Sequence, residues 1–167
     1  MAIVFSGRKF QVEVVKRRFP DGREHEVEIV HHPPVVVLIP VEDDGRVVLI
    51  KQYRAAIERD TWELPAGGIE PNEDADAAVR RECEEEIGRV PHRIERLGAW
   101  YSTPGFCDEL MIFCRVSDLR DPPADSPHKP DPDELIEPHV VTLDEARAMV
   151  RRGEIVDLKT AYALMLR

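Results

Sequence analysis

Alternating, β-branched segments at Phe10 to Val15 and Glu24 to Val30 flank Pro20-Asp21-Gly22. Period-two patterning around a turn sequence of this kind predicts an antiparallel hairpin. Val35 to Val41 and Arg46 to Gln52 bracket Asp43-Asp44-Gly45 in the same way and predict a second hairpin, giving four strands before residue 53. From Glu73 to Ile87 the period lengthens, with Val79, Cys83 and Ile87 recurring every four residues, Asn72 as N-cap and Gly88 as terminator, so a helix is expected there. Strand patterns return at Ile94 to Tyr101, Leu110 to Val116 and Ile136 to Val141. Thr142, with Glu145 completing a capping box, opens a helix that stops at Gly153, and Asp157 caps a last helix running to Arg167. The prolines at 122, 123, 127, 130 and 132 leave no room for a ladder or a helix and predict a loop. Strands interspersed irregularly with helices favour an α+β fold, a mixed sheet covered by helices.

Charge narrows the choice of partners. Lys and Arg number 23 against 33 Asp and Glu, a formal charge of -10, which repels the phosphate backbone on which nucleic-acid affinity rests. An anionic small molecule remains accessible to such a chain if a metal cation supplies the local positive field. Cys83, Cys107 and Cys114 are odd in number and lack zinc-type spacing, so a reducing, cytoplasmic setting is expected. The first ten residues do not read as a signal peptide, and the longest apolar run, Val35 to Ile39, is too short to span a bilayer, so no membrane partner is expected. The six histidines are scattered and receive no chemistry.

At 100° per residue, Glu82, Glu85 and Glu86 fall within about a quarter of the helix circumference while Glu84 points elsewhere. Three carboxylates on one face suit a hard divalent cation such as Mg²⁺ or Mn²⁺. A merely solvated acidic face is the bland alternative. Against it stands Leu64-Pro65-Ala66-Gly67-Gly68, read as a tight turn where backbone approaches a ligand closely, followed by Glu73 at the helix start.

Gly67, five residues, Glu73, seven residues, then Arg81-Glu82-Cys83-Glu84-Glu85-Glu86-Ile87-Gly88 resembles the box of the Nudix hydrolases, with all seven fixed positions occupied. Cys83 fills an aliphatic position by packing as a small apolar group, and Arg89 stands at another, where Val90 is expected to replace it in the core. The resemblance implies a Nudix-type α/β/α sandwich over 34–167, with an N-terminal antiparallel hairpin over 1–33, the two forming effectively one unit. It implies that Glu82 and Glu86 ligate metal, with Glu85 contributing directly or through water and the Ala66 carbonyl as a further ligand. Glu73 would hold the loop against the helix. The catalytic set it implies is Glu85, Arg81, which orients a glutamate, and a base from the loop Asp131 to Glu137. Glu134 is the first choice of base and Asp133 the second, while Glu137 has the alternative of simply beginning the next strand.

Lys51-Gln52-Tyr53-Arg54, Trp62 to Gly67 and Pro104-Gly105-Phe106 resemble the ADP-ribose pyrophosphatase branch, so that the likeness runs from about residue 7 to residue 162. It implies substrate contacts from Arg54, Glu63, Pro104, Gly105 and Phe106. Arg54 suits a diphosphate or, equally, a surface salt bridge, and Glu63 suits a ribose hydroxyl or an adenine amine. Trp62 and Phe106 have stacking on a base and core packing as alternatives. The expected activity is metal-dependent hydrolysis of ADP-ribose to AMP and ribose 5-phosphate. GDP-mannose hydrolysis and ADP-ribose sensing without cleavage are the competing readings. The resemblance also implies a homodimer through the N-terminal hairpin, and a lone two-stranded hairpin would be marginal in water without such a partner surface.

Overall fold

The computed structural model describes residues 2–129 and 135–166. Three strands, β1 (Ala2–Ser6), β2 (Gln11–Arg18) and β3 (Glu24–His31), form an antiparallel N-terminal sheet in the order β1-β2-β3. The predicted hairpin is its β2-β3 half, paired in register from Gln11 with His31 to Arg18 with Glu24. The strand β1, which the exposed sequence Ala2–Ser6 does not announce by alternation, completes it.

Two further sheets form the body of the fold. One has the order β10 (Ile136–Val141), β5 (Val47–Arg54), β6 (Arg59–Glu63). The other, a mixed sheet, runs β7 (Ala66–Gly68), β4 (Val35–Pro40), β9 (Leu110–Arg120), β8 (Val90–Tyr101), with β4 and β9 parallel. The expected second hairpin is therefore corrected: β4 and β5 are consecutive but belong to different sheets, packing side chains into the same two cores, with a single backbone bridge between Val41, just after β4, and Val47. Both are buried on both faces, Val35–Pro40 throughout and Val47–Ile50 at its start. Continuous apolar runs of that kind belong in the middle of a layered structure rather than in a hairpin with one wet face.

Successive side chains of these strands feed opposite cores. Val36, Leu38, Val48, Ile50, Cys114 and Val116 pack under α1 (Ala75–Ile87) with its Val79 and Cys83. Val37, Ile39, Leu49, Phe113 and their neighbours pack under α2 (Leu143–Arg152) and α3 (Leu158–Ala163) through Ala146, Met149, Ala163 and Leu164. Helices thus cover both faces of the strands, an α/β/α sandwich of α+β class. Among the described residues no helix is long and apolar enough to cross a membrane.

Local corrections have local causes. The N-cap of α1 is Asp74, whose carboxylate accepts from Ala77 N at 2.9 Å, and not Asn72, which sits at φ 69° in the preceding turn. Residues 66–68 are a short strand paired with Val35–Val37, not a turn. Val90 is half-buried at the start of β8 and lies outside both cores, while Arg89 donates to the Leu119 carbonyl at 2.6 Å.

Candidate active site

One end of the sandwich carries a cleft made of two adjoining cavities of about 660 and 800 Å³, which share Lys9, Arg54, Ala66, Arg81 and Glu82 in their walls. The helix α1 brings the glutamates. Glu82 and Glu86 are buried and Glu85 half-buried, so the wet acidic face does not describe them. Glu84 is buried as well, on the side away from the cavity walls, with Oε1 lacking a partner.

Arg81 organises this group. Its Nε and Nη2 each meet one Glu73 oxygen at 2.9 Å, its Nη1 reaches Glu82 at 2.6 Å and Glu85 at 3.0 Å, and Nη2 donates to the Gly68 carbonyl at 2.7 Å. Hydrogen bonding to Glu73 above all, outweighing burial, raises the guanidinium far above its ordinary range. Glu73 precedes the helix and also accepts from Glu70 N at 2.9 Å, tying the loop to α1, and its carboxyl is held below the usual range chiefly by Arg81. Across from the helix, β7 supplies Ala66, whose N–H donates to Glu86 at 3.0 Å. A Cβ at Gly67 would lie 2.0 Å from the Glu82 carboxylate, so only glycine admits that side chain.

The donor set fits a divalent cation by charge and chemistry. Three carboxylates, of Glu73, Glu82 and Glu85, gather around one guanidinium, and those of Glu82, Glu85 and Glu86 line the cavity, a surplus of negative hard-oxygen donors. Among the described residues no three such groups already converge as a closed cage, because Arg81 takes up oxygens of Glu82 and Glu85.

A second charged group shares the cleft. Arg54 donates to both Glu63 oxygens, Nε to Oε1 at 2.7 Å and Nη2 to Oε2 at 2.6 Å, and Lys159 Nζ lies 2.5 Å from the same Oε2. Thr61 Oγ1 donates to Glu63 Oε1. Burial pushes the Glu63 carboxyl upward, but Arg54, then Lys159 and Thr61, overcome it and hold it at about 2. Glu63 is only 2% exposed with its oxygens spent on protein donors, so this structure gives it the work of anchoring two cations. Arg54 is in a salt bridge, yet a half-exposed one inside the cleft and not on the outer surface.

The remaining expected contacts fall elsewhere. Pro104, Gly105 and Phe106 are exposed, Phe106 by 57%, and stand in the wall of neither cavity, so core packing does not describe Phe106. Their loop is fastened to β3 instead, through Val30 N to Phe106 O at 2.7 Å and Asp108 N to Val30 O at 3.1 Å. Trp62 is half-buried against the core and meets the His139 ring edge-on at 4.8 Å. Glu137 lies in β10 opposite Lys51. Asp131, Asp133 and Glu134 lie outside the described residues, while Pro127 and Lys129, just before them, line the cavity with the glutamates.

No local pattern pointed to Lys159, which is 96 residues from Glu63, or to the histidine cluster at β3. There His31 meets Asp108 at 2.6 Å and Glu13 at 3.2 Å, and Asp108 also accepts from His32 N at 2.8 Å. Hydrogen bonding to Asp108 and then Glu13 raises the imidazole above its ordinary value. Only the adjacency of His31-His32 to a strand end was available to find it.

Comparison with known proteins is consistent with this geometry. The NUDIX domain model matches residues 30–160. An ADP-ribose pyrophosphatase of Bacillus subtilis strain 168 is 35% identical over 161 residues, 96% of this chain and 86% of the relative. A methanol dehydrogenase activator of Bacillus methanolicus is 33% identical over the same shares. A crystal structure of an ADP compounds hydrolase superposes with a TM-score of 0.79 over 99% of this chain and 88% of its own, at 23% identity.

Proposed function

This chain belongs to the NUDIX domain family as a hydrolase of nucleoside diphosphate sugars, and on that premise we propose that its substrate is ADP-ribose, cleaved with Mg²⁺ or Mn²⁺ to AMP and ribose 5-phosphate. The observation that carries this reading is the pairing, in one cleft, of a carboxylate surplus on α1 with the cations Arg54 and Lys159. The first suits a divalent metal and the second suits phosphate oxygens. When bound, the metal supplies Lewis acidity and an activated water.

The residues then divide the remaining work. Glu82, Glu86, Glu85 and the Ala66 carbonyl are the proposed ligands. Arg81 holds Glu82 and Glu85 in place while Glu73 holds Arg81. Glu134 is the proposed base, and Glu134→Gln should lower kcat by about tenfold or more, a change under about threefold removing it from that role. Pro104, Gly105 and Phe106 reach substrate only if a second copy brings its cleft to them. The proposed assembly is accordingly a homodimer through residues 1–33, supported by the exposed apolar side chains of Ile3, Val4, Phe5 and Phe10. The free cysteines, with Cys83 pushed up to about 12 and Cys114 to about 11 by burial, suit a cytoplasmic location.

Product analysis on ADP-ribose and GDP-mannose tests the substrate. ADP-ribose should be preferred by about tenfold or more in kcat/KM, and a preference of that size for GDP-mannose would contradict the proposal. Binding of ADP-ribose with no AMP released would instead favour a sensor.

A further inference from the structure

Lys159 reaches the cleft from near the end of the chain. Leu64 N donates to Thr160 Oγ1 at 2.8 Å, and Thr160, Ala163 and Leu164 are buried, so α3 is pinned beside β6 by contacts that do not involve the lysine. Its ammonium meets Glu63 Oε2 at 2.5 Å and Asp157 Oδ2 at 3.0 Å, with 16% of the side chain exposed in a cavity wall that also holds Arg54 and Glu82.

The four charges of Arg54, Glu63, Lys159 and Asp157 sum to zero, but they do not face the cleft equally. The Glu63 side chain is 3% exposed while that of Arg54 is 38% exposed. Asp157 Oδ2 is divided between Lys159 and Thr160 N. The carboxylate thus works on the inner side and the donors are presented outward. Arg54 spends Nε and Nη2 on Glu63, which leaves Nη1, and the ammonium has a third N–H beyond its two partners. Beside Arg54 in the other cavity, Gln52 is 6% exposed and its Oε1 has no partner, a buried polar atom of the kind a ligand satisfies.

We propose that Lys159 is a second diphosphate-binding cation of this active site, paired with Arg54 through the shared carboxylate of Glu63. The inference rests on the reading of the cleft as a nucleotide-sugar site. Two cations converging on one carboxylate, both reaching Glu63 Oε2, match two successive phosphates better than one, so the pair favours diphosphate substrate over the monophosphate products.

The test combines kinetics with binding. Lys159→Met should raise KM for ADP-ribose by about tenfold with kcat changed by less than about threefold, and Lys159→Arg should bring KM back to within about threefold of wild type. Calorimetric titration with inorganic pyrophosphate and Mg²⁺ reads the pair without nucleoside or sugar, and the same substitution should weaken it by about tenfold while affinity for AMP changes by less than about threefold. Should Lys159→Met not fold, Lys159→Gln against Lys159→Arg makes the same comparison. A wild type that does not bind pyrophosphate, or a Lys159→Met protein that binds it within about twofold of wild type, overturns the proposal. If Lys159 governs pyrophosphate binding but no nucleotide sugar is hydrolysed, the proposal stands and the substrate reading falls.

Discussion

Gly67 and Glu82 are fitted to each other so closely that one methyl group would separate them. A Cβ at residue 67 would overlap the Glu82 carboxylate at 2.0 Å, and the neighbouring Ala66 N–H fixes Glu86. Gly67→Ala should therefore displace Glu82, cost about 1–3 kcal/mol in chemical denaturation and lower kcat by about tenfold or more. Glu82→Gln and Glu86→Gln keep shape but lose charge, so the circular dichroism spectrum should be unchanged while turnover falls by about a hundredfold or more. At this scale the spacing of Gly67, Glu73 and the 81–86 run made the glutamate cluster legible. The partner sets of Glu63 and Lys159 were not legible, because a residue's chemistry says which partners suit it and only the fold says which arrive. Glu63 read as a substrate acceptor in the sequence because nothing local disclosed Arg54, Thr61 and Lys159 converging on it.

Among the elements, α1, α2 and the β2-β3 hairpin were readable because cap residues and periodicity are local signals. The short β6 and β7 were not, since neither Arg59–Glu63 nor Ala66–Gly68 has a hydrophobic rhythm of its own, and β4 and β5 misread as a hairpin because a good turn sequence says nothing about sheet membership. The cap of α1 at Asp74 predicts that Asp74→Ala costs about 1 kcal/mol, visible as a Tm lower by about 2–4 °C. The contact between β3 and the 103–108 loop carries a pH dependence. His31, facing Asp108 and Glu13 and near Arg17 through Glu13, is raised from 6.5, so its contribution is complete below that value and is lost as pH rises through the folded-state value above it. Asp108 is lowered from 3.8: burial opposes this, but His32 N–H and His31 prevail, and its contribution is present above 3.8 and lost as pH falls through the lowered value. Protection factors of amides in the 103–108 loop, which divide out base-catalysed intrinsic exchange, should be highest between those limits and should fall on the alkaline side, and His31→Asn should flatten the alkaline limb. An unchanged profile in that variant would remove the histidine from this role.

The molecule as a whole joins an exposed N-terminal sheet to a sandwich whose two cores are fed by alternate residues of the same strands. The layered architecture followed from runs of strands with interspersed helices, whereas the division into three sheets depended on long-range pairing that no segment encodes alone. If the N-terminal sheet is the dimer surface, sedimentation should give a dimer for wild type, and Phe5→Asp, placing a charge among Ile3, Val4 and Phe10, should shift it to monomer. Retention of the dimer would move the interface elsewhere. The most direct measurement of the central claim is the rate of AMP release from ADP-ribose with and without Mg²⁺, in wild type and Glu86→Gln. Rapid release of AMP with ribose 5-phosphate, abolished by a chelator and lowered by about a hundredfold or more in the variant, is the predicted result. Release that persists in the chelator, or an equal rate in Glu86→Gln, would contradict a diphosphate-cleaving metal site built on α1.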